Sequence, residues 1–166
     1  MILKQCGRDD VLDRDLFVLE LLSPADFPVE LSLPSPRFAC LIAWDSRDAS
    51  VDEVASIAQT LLDSGAVYVC AWGPDCERVH DIVDEIEVGL NSPTVVDRVV
   101  MTTWHSDEPL AEAIWFVLMN SFPDEGYEDG CGSTVGIAIG SPMWAEELRN
   151  AFATPREFVE RQLRGD

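Results

Sequence analysis

Positive charge is what this chain has least of. Lysine occurs once, at Lys4, and Lys plus Arg total 11 against 31 Asp plus Glu, a formal net charge of −20. Binding to phosphate backbones needs a basic footprint, so a nucleic-acid groove is excluded as the main purpose. An anionic membrane surface is disfavoured for the same reason. Long apolar runs are missing too: nothing approaches the ~20 residues of a membrane-spanning helix. The opening Met1-Ile2-Leu3-Lys4-Gln5-Cys6 lacks the basic start and apolar stretch of a secretory signal. The five cysteines (Cys6, Cys40, Cys70, Cys76, Cys131) are odd in number and form no C-x-x-C pair. These absences together point to a reduced, cytoplasmic protein. Internal repeats and low-complexity tracts are also absent. Trp44-Asp45-Ser46-Arg47-Asp48 carries neither a G-x-G-x-x-G nor a Walker lysine, which argues against a familiar nucleotide cradle; no cofactor is expected.

What is present is a globular chain. Its 166 residues suit one domain on the usual ~100–200 residue prior. An apolar fraction of 47% can supply a core without disulfide or metal. Residues 1–37 form an extended lead-in that contributes at most an edge strand, Leu16 to Leu22, before Pro24, Pro28, Pro34 and Pro36 keep the chain irregular. From 38 to 166 a strand-then-helix rhythm runs as one α/β domain. Phe38 to Trp44 is a short apolar run, as in a strand buried on both faces. Ser50 and Glu53 form a capping box, and apolar residues recur at spacings of three and four until Gly65. Ala66 to Trp72 is the second strand, followed by Gly73-Pro74 and a helix from Asp75. Val99 to Trp104 is the third, with a nearly all-apolar helix from about Asp107 to Leu118. Thr134 to Gly140 is the fourth, with Ser141-Pro142 opening its helix; Thr154 and Glu157 repeat the capping-box pattern.

Four such units imply right-handed crossovers and a mostly parallel sheet of four to five strands. The expected architecture is a three-layer sandwich, Rossmann-like or flavodoxin-like, with the four core strands in the order 2-1-3-4. Ligands of such sheets lie beyond the carboxyl ends of the strands. Those ends carry Trp44 and Asp45, Trp72 and Asp75, and Trp104, a set that could line a pocket or a contact surface.

Two strings at these ends, Ala71-Trp72-Gly73-Pro74-Asp75-Cys76 and Met101-Thr102-Thr103-Trp104-His105-Ser106-Asp107-Glu108-Pro109-Leu110, with Trp115-Phe116 beyond, resemble an uncharacterised family of small bacterial proteins. The likeness covers about residues 37–140 and implies no particular activity.

Cys76 and His105 form the one nucleophile-like pairing. Cys76 belongs in the first turn of a helix, where main-chain N–H groups and the helix dipole favour a thiolate. His105 follows the third strand, and Asp107 or Glu108 could orient its ring. On this view Cys76 is alkylated ahead of Cys40 and Cys70. In the expected strand order, however, a strand separates the two residues by roughly 10 Å of sheet. Cys76 and His80 share a helix face and with His105 and Asp45 could complete a zinc site, although the spacing is common by chance and no metal is expected. Asp45-Ser46-Arg47-Asp48 after a strand is similar to the opening of TIR domains, and Arg98 to Leu118 is similar in outline to a TIR strand and helix. That resemblance implies a nucleotide hydrolase with Glu108 or Glu112 as its catalytic carboxylate; the family's Trp-Cys-x-x-Glu string is absent.

Acidic residues gather on the second helix (Asp75, Glu77, Asp81, Asp84, Glu85, Glu87) and in the loop carrying Asp124, Glu125, Glu128 and Asp129. Such surfaces steer basic partners. The reading adopted from sequence is a non-catalytic interaction protein for a basic macromolecule, in the manner of an inhibitor or immunity protein, with a homodimer as an option. A Cys/His enzyme and a TIR-like hydrolase are the alternatives.

Overall fold

The computed structural model describes residues 2–90 and 99–166. Met1 and Arg98, the latter the first residue of the TIR-like stretch, lie outside them. In chain order the elements are β1 (Ile2–Asp9), β2 (Arg14–Leu21), β3 (Arg37–Trp44), α1 (Val51–Asp63), β4 (Ala66–Trp72), α2 (Cys76–Leu90), β5 (Met101–His105), α3 (Leu110–Met119), β6 (Cys131–Ile139), α4 (Pro142–Ala153) and α5 (Pro155–Arg164). Single 3-10 turns occupy Pro24–Asp26 and Glu125–Tyr127.

The strands form one six-stranded sheet in the order β1-β2-β6-β3-β4-β5. Only the β1–β2 pair is antiparallel; β2–β6, β6–β3, β3–β4 and β4–β5 are parallel. The sheet therefore has more strands than the four or five expected, because the lead-in supplies two. β1 is an edge strand, but β2 is interior and pairs along its length with β6. Leu16, Phe17, Val18, Leu19 and Leu21 of β2 are buried, so this part of the lead-in belongs to the core.

The strand order also departs from expectation. The first core strand, β3, lies between β6 and β4, and β5 sits outside β4 at the edge. The chain steps outward twice in one direction through α1 and α2, then returns through α3 to the far side of β3. Hydrophobic periodicity marks strands and helices but carries no information on which way each crossover steps. One consequence bears on the site: no strand intervenes between the ends of β4 and β5, where Trp72 pairs with His105.

Strands β3 and β4 are apolar throughout because both faces are covered. Phe38, Cys40, Ile42, Trp44, Val69 and Ala71 pack with α1 and α2. The alternate residues, among them Ala39, Leu41, Ala43, Tyr68 and Cys70, pack with α3, α4 and α5. The Ser50–Glu53 capping box opens α1: Glu53 N–H donates to Ser50 Oγ at 3.1 Å and Ser50 N–H to Glu53 Oε2 at 2.8 Å. Ser141 Oγ caps α4 through Trp144 N–H at 3.4 Å. The pattern at Thr154 and Glu157 is not a capping box; Thr154 precedes α5 with no side-chain cap bond. Gly73 makes the tight exit from β4. Its φ is +113°, and a Cβ there would lie 2.4 Å from the Trp44 carbonyl oxygen.

No helix among the described residues is long and apolar enough to cross a membrane.

Candidate functional site

The carboxyl end of β5 carries the densest polar chemistry in the fold. Pleating puts Thr103 and His105 on the α3 side of the sheet, and Thr102 and Trp104 on the α2 side. Asp107 then adopts φ +60°, which folds the chain back so that Glu108 meets the ring it follows by three residues. His105 Nδ1 lies 2.6 Å from Glu108 Oε1, and Nε2 lies 3.0 Å from Thr103 Oγ1. The ring packs on Phe116 at a centroid distance of 4.7 Å. The turn is held from the neighbouring strand, since Trp72 Nε1 donates to the Glu108 carbonyl at 2.9 Å. Trp72 in turn meets Trp144 edge-on at 5.2 Å.

This corner opens into a cavity of about 400 Å³ between α3 and α5. His105, Glu108, Glu112, Trp115 and Phe116 line one side, and Gln162 and Leu163 of α5 the other. Trp115 Nε1 is buried without a hydrogen-bond partner among the described residues.

Cys76 reaches His105 differently from the sequence expectation. The two are on neighbouring strand ends, but the thiol belongs to the α1/α2 side and the imidazole to the α3 side. The Cys76 sulfur lies against main-chain N–H groups of His105, Cys76 and Gly73. These favour a thiolate, yet burial outweighs them and pushes the thiol above its ordinary range, with the Asp75 charge adding to the rise. With 2% exposure, Cys76 is as enclosed as a core residue. Both ring nitrogens of His105 are engaged, and neither engages the sulfur. Asp107 is exposed and does not orient the ring; Glu108 does.

The three strand-end tryptophans do not share a pocket. Trp44 is buried on the α1/α2 side, Trp72 faces the α3 side, and Trp104 is 44% exposed against His80 at 4.6 Å. Asp45 accepts two bonds from Arg47, at 2.9 and 2.6 Å, which hold its carboxyl below the usual range. Asp75 accepts from Arg78 Nε at 2.6 Å. The zinc set is not brought together: His80 is held by Asp81 and Asp84 on α2, His105 is on the other face, and no metal-holding cluster occurs among the described residues.

The acidic residues separate into two roles. Asp84 accepts from Thr102 Oγ1 at 2.6 Å, and buried Glu87 accepts from Val100 N–H at 2.8 Å; both tie α2 to β5. Glu77, Asp81 and Glu85 face outward. The loop from Asp124 to Asp129 precedes β6 and so lies at the amino ends of the strands, opposite the tryptophan-bearing ends. Arg37 anchors it, donating to the Asp129 carbonyl at 2.7 Å and lying 5.0 Å over the Tyr127 ring. Asp124 accepts weakly from Val99 N–H at 3.4 Å, while Glu125, Glu128 and Asp129 are exposed. The binding residues named from sequence thus fall at opposite ends of the sheet and cannot form one surface.

A family model described as a domain of unknown function, DUF7684, matches residues 16–155. The chain belongs to this family. The match begins in β2 and runs through α4, so the family domain extends beyond residues 37–140 at both ends. It contains Cys76, the His105–Glu108 pair and the whole α3 side of the cavity, while Gln162 and Leu163 follow it. No curated protein matches the chain.

Sequence reasoning quotes Thr103, Trp115 and Phe116 in the family resemblance but gives them no role, and it does not mark the α5 wall. Thr103 was accessible from the alternation that puts it two residues before His105 on the same strand face. Nothing local marks Gln162 and Leu163, which reach the cavity only through the tertiary packing of α5 on α3.

Proposed function

We propose that the protein is a non-catalytic, acidic interaction protein that binds a basic macromolecular partner, with an inhibitor- or immunity-like role in the cytoplasm. Its architecture we take as a three-layer, Rossmann-like sandwich. The observation that carries the reading is where the scarce arginines go. Arg8 pairs with Asp13 and Asp15, Arg47 with Asp45, Arg78 with Asp75, Arg149 with Glu20 and Arg164 with Asp166. Arg14 is buried against Ser121. Arg8, Arg47, Arg78, Arg149 and Arg164 are thus spent on the chain's own carboxylates, and outward residues such as Glu77, Asp81, Glu85, Glu125 and Glu128 are left to set the surface field. Such a field accelerates encounter with a cation-rich surface and repels nucleic acid.

The enzyme readings draw less support. A Cys76–His105 mechanism needs the imidazole at the thiol, and the main chain lies there instead. A TIR-like nucleotide hydrolase is favoured by one observation, that Glu108 and Glu112 line the same cavity. That cavity's lining carries no lysine or arginine for a phosphate.

The test uses a partner captured from the native host and then purified. Lysine at Asp124, Glu125, Glu128 and Asp129 is expected to slow association at least about tenfold at low salt, with the difference shrinking as salt rises. His105→Ala is expected to bind nearly as wild type. If His105→Ala abolishes the cellular effect while the lysine variant retains it, the interaction reading is wrong.

A further inference from the structure

We infer that the cavity between the end of β5, α3 and α5 is an anchor pocket for a guanidinium group, presented as an arginine side chain by the basic partner. The inference rests on the preceding reading for the partner's character, but its site is separate from the acidic loop. The loop is at the amino ends of the strands and the cavity at the carboxyl end of β5.

Charge, shape and aromatic surface in the pocket favour this occupant, although it offers no acceptor to the buried Trp115 Nε1. The pocket's ionisable lining is two carboxylates and an imidazole, with no lysine or arginine, and it belongs to a molecule of net charge −20, so a cation is favoured over an anion. Glu108 spends one carboxylate oxygen on His105 and keeps the other for a donor from outside; Glu112 is exposed and makes no side-chain bond among the described residues. Glu108 lies in the turn before α3 and Glu112 in the helix's first turn, and both line the cavity. Trp115 and Phe116 follow on the next turn and supply aromatic surface. A guanidinium is planar, weakly hydrated and five-donored. It pairs with carboxylate oxygens while its faces lie on aromatic rings, and it loses less on leaving water than a compact ammonium does. Leu163 of α5 gives the aliphatic stem an apolar wall. His105 does not compete for the cation, because its nitrogens are already taken by Glu108 and Thr103. A cavity of about 400 Å³ is in the range that takes a ligand-sized group.

The source of the guanidinium is a side chain within a polypeptide, not free arginine. The free amino acid adds an α-ammonium and an α-carboxylate, both strongly hydrated, which must lose water at the site; an amide-blocked residue carries neither.

The experiment is an NMR titration of the full chain, following the Trp115 indole N–H signal, which is assigned with Trp115→Phe. The probes are N-acetyl-arginine amide, N-acetyl-lysine amide and free arginine. The first is expected to shift the signal saturably, and the other two to bind several-fold more weakly. Glu112→Gln, an exposed change that should leave folding intact, is expected to weaken the arginine amide by about tenfold. The variant with lysine at Asp124, Glu125, Glu128 and Asp129 should bind the amide as wild type does. The inference is overturned by no saturable shift, by equal binding of the lysine amide or of free arginine, or by an unaltered affinity in Glu112→Gln. If the amide fails while the loop variant still loses the macromolecular partner, the pocket is wrong and the interaction reading stands. If the amide binds at Trp115 but no basic partner is captured, the pocket stands and the interaction reading falls.

Discussion

Cys76 shows how a residue's position can be read from sequence while the burial that governs its thiol cannot. The sequence places it at the first turn of a helix, and α2 does begin there. What a linear reading misses is that the thiol is roofed by the end of β5, so desolvation governs it. The same cause raises Cys70 to about 12, and burial together with the neighbouring Cys70 raises Cys40 well above the ordinary thiol range. Cys6 and Cys131 are also raised by burial, but they are the two partly exposed cysteines. Access therefore decides the order of reaction. Limiting iodoacetamide on the native protein is expected to label Cys6 and Cys131 first, with Cys40, Cys70 and Cys76 protected. Mass mapping that found Cys76 labelled first would contradict its placement beneath β5.

At the level of elements, the joint between β4 and α2 leaves no room for a side chain. Gly73→Ala combines a left-handed φ of +113° with a Cβ 2.4 Å from the Trp44 carbonyl oxygen. The expected cost is about 2–4 kcal/mol, read as a lower urea midpoint with an unchanged slope. Gly89→Ala is the control: it is helical, with nothing among the described residues within 4 Å of an added Cβ, so it should be neutral or stabilise by up to ~1 kcal/mol. The four strand-then-helix units were legible because each has its own period and its own cap or stop. Strand β4 falls at the residues expected from its apolar run. The lead-in was less so. Leu16 to Leu22 carried the signal of a strand, but nothing in that stretch told that its partner would be β6, more than a hundred residues later. Sequence puts the start of α3 too early because Asp107 and Glu108 look like helix-opening acids, whereas they form the turn that precedes Pro109. The His105–Glu108 contact was legible as a pair three residues apart, and the cavity beside it was not, since one of its walls is α5.

For the whole molecule, long-range repulsion among acidic residues competes with short-range pairing of arginines with carboxylates. The pairs are mostly exposed, and such pairs contribute about 0–1 kcal/mol each. Repulsion sums over a net charge of −20 and is screened within about 10 Å at 0.1 M salt. Salt should therefore relieve more repulsion than it costs in pairing. Tm is expected to rise by about 2–4 °C between low and moderate sodium chloride, equivalent to ~1 kcal/mol for a chain of this size. A flat or falling Tm in calorimetry would show that the pairs dominate. One feature of the sheet adds direction to this charge. Because β2 to β6 run parallel, helices α1 to α4 all return against them, and their carboxyl termini gather at the edge that also bears the Asp124–Asp129 loop. Backbone dipoles and side-chain charges therefore add at that edge and oppose each other at the far one. The negative field at the loop end is thus stronger than side-chain charge alone would make it, and at the opposite end it is weaker.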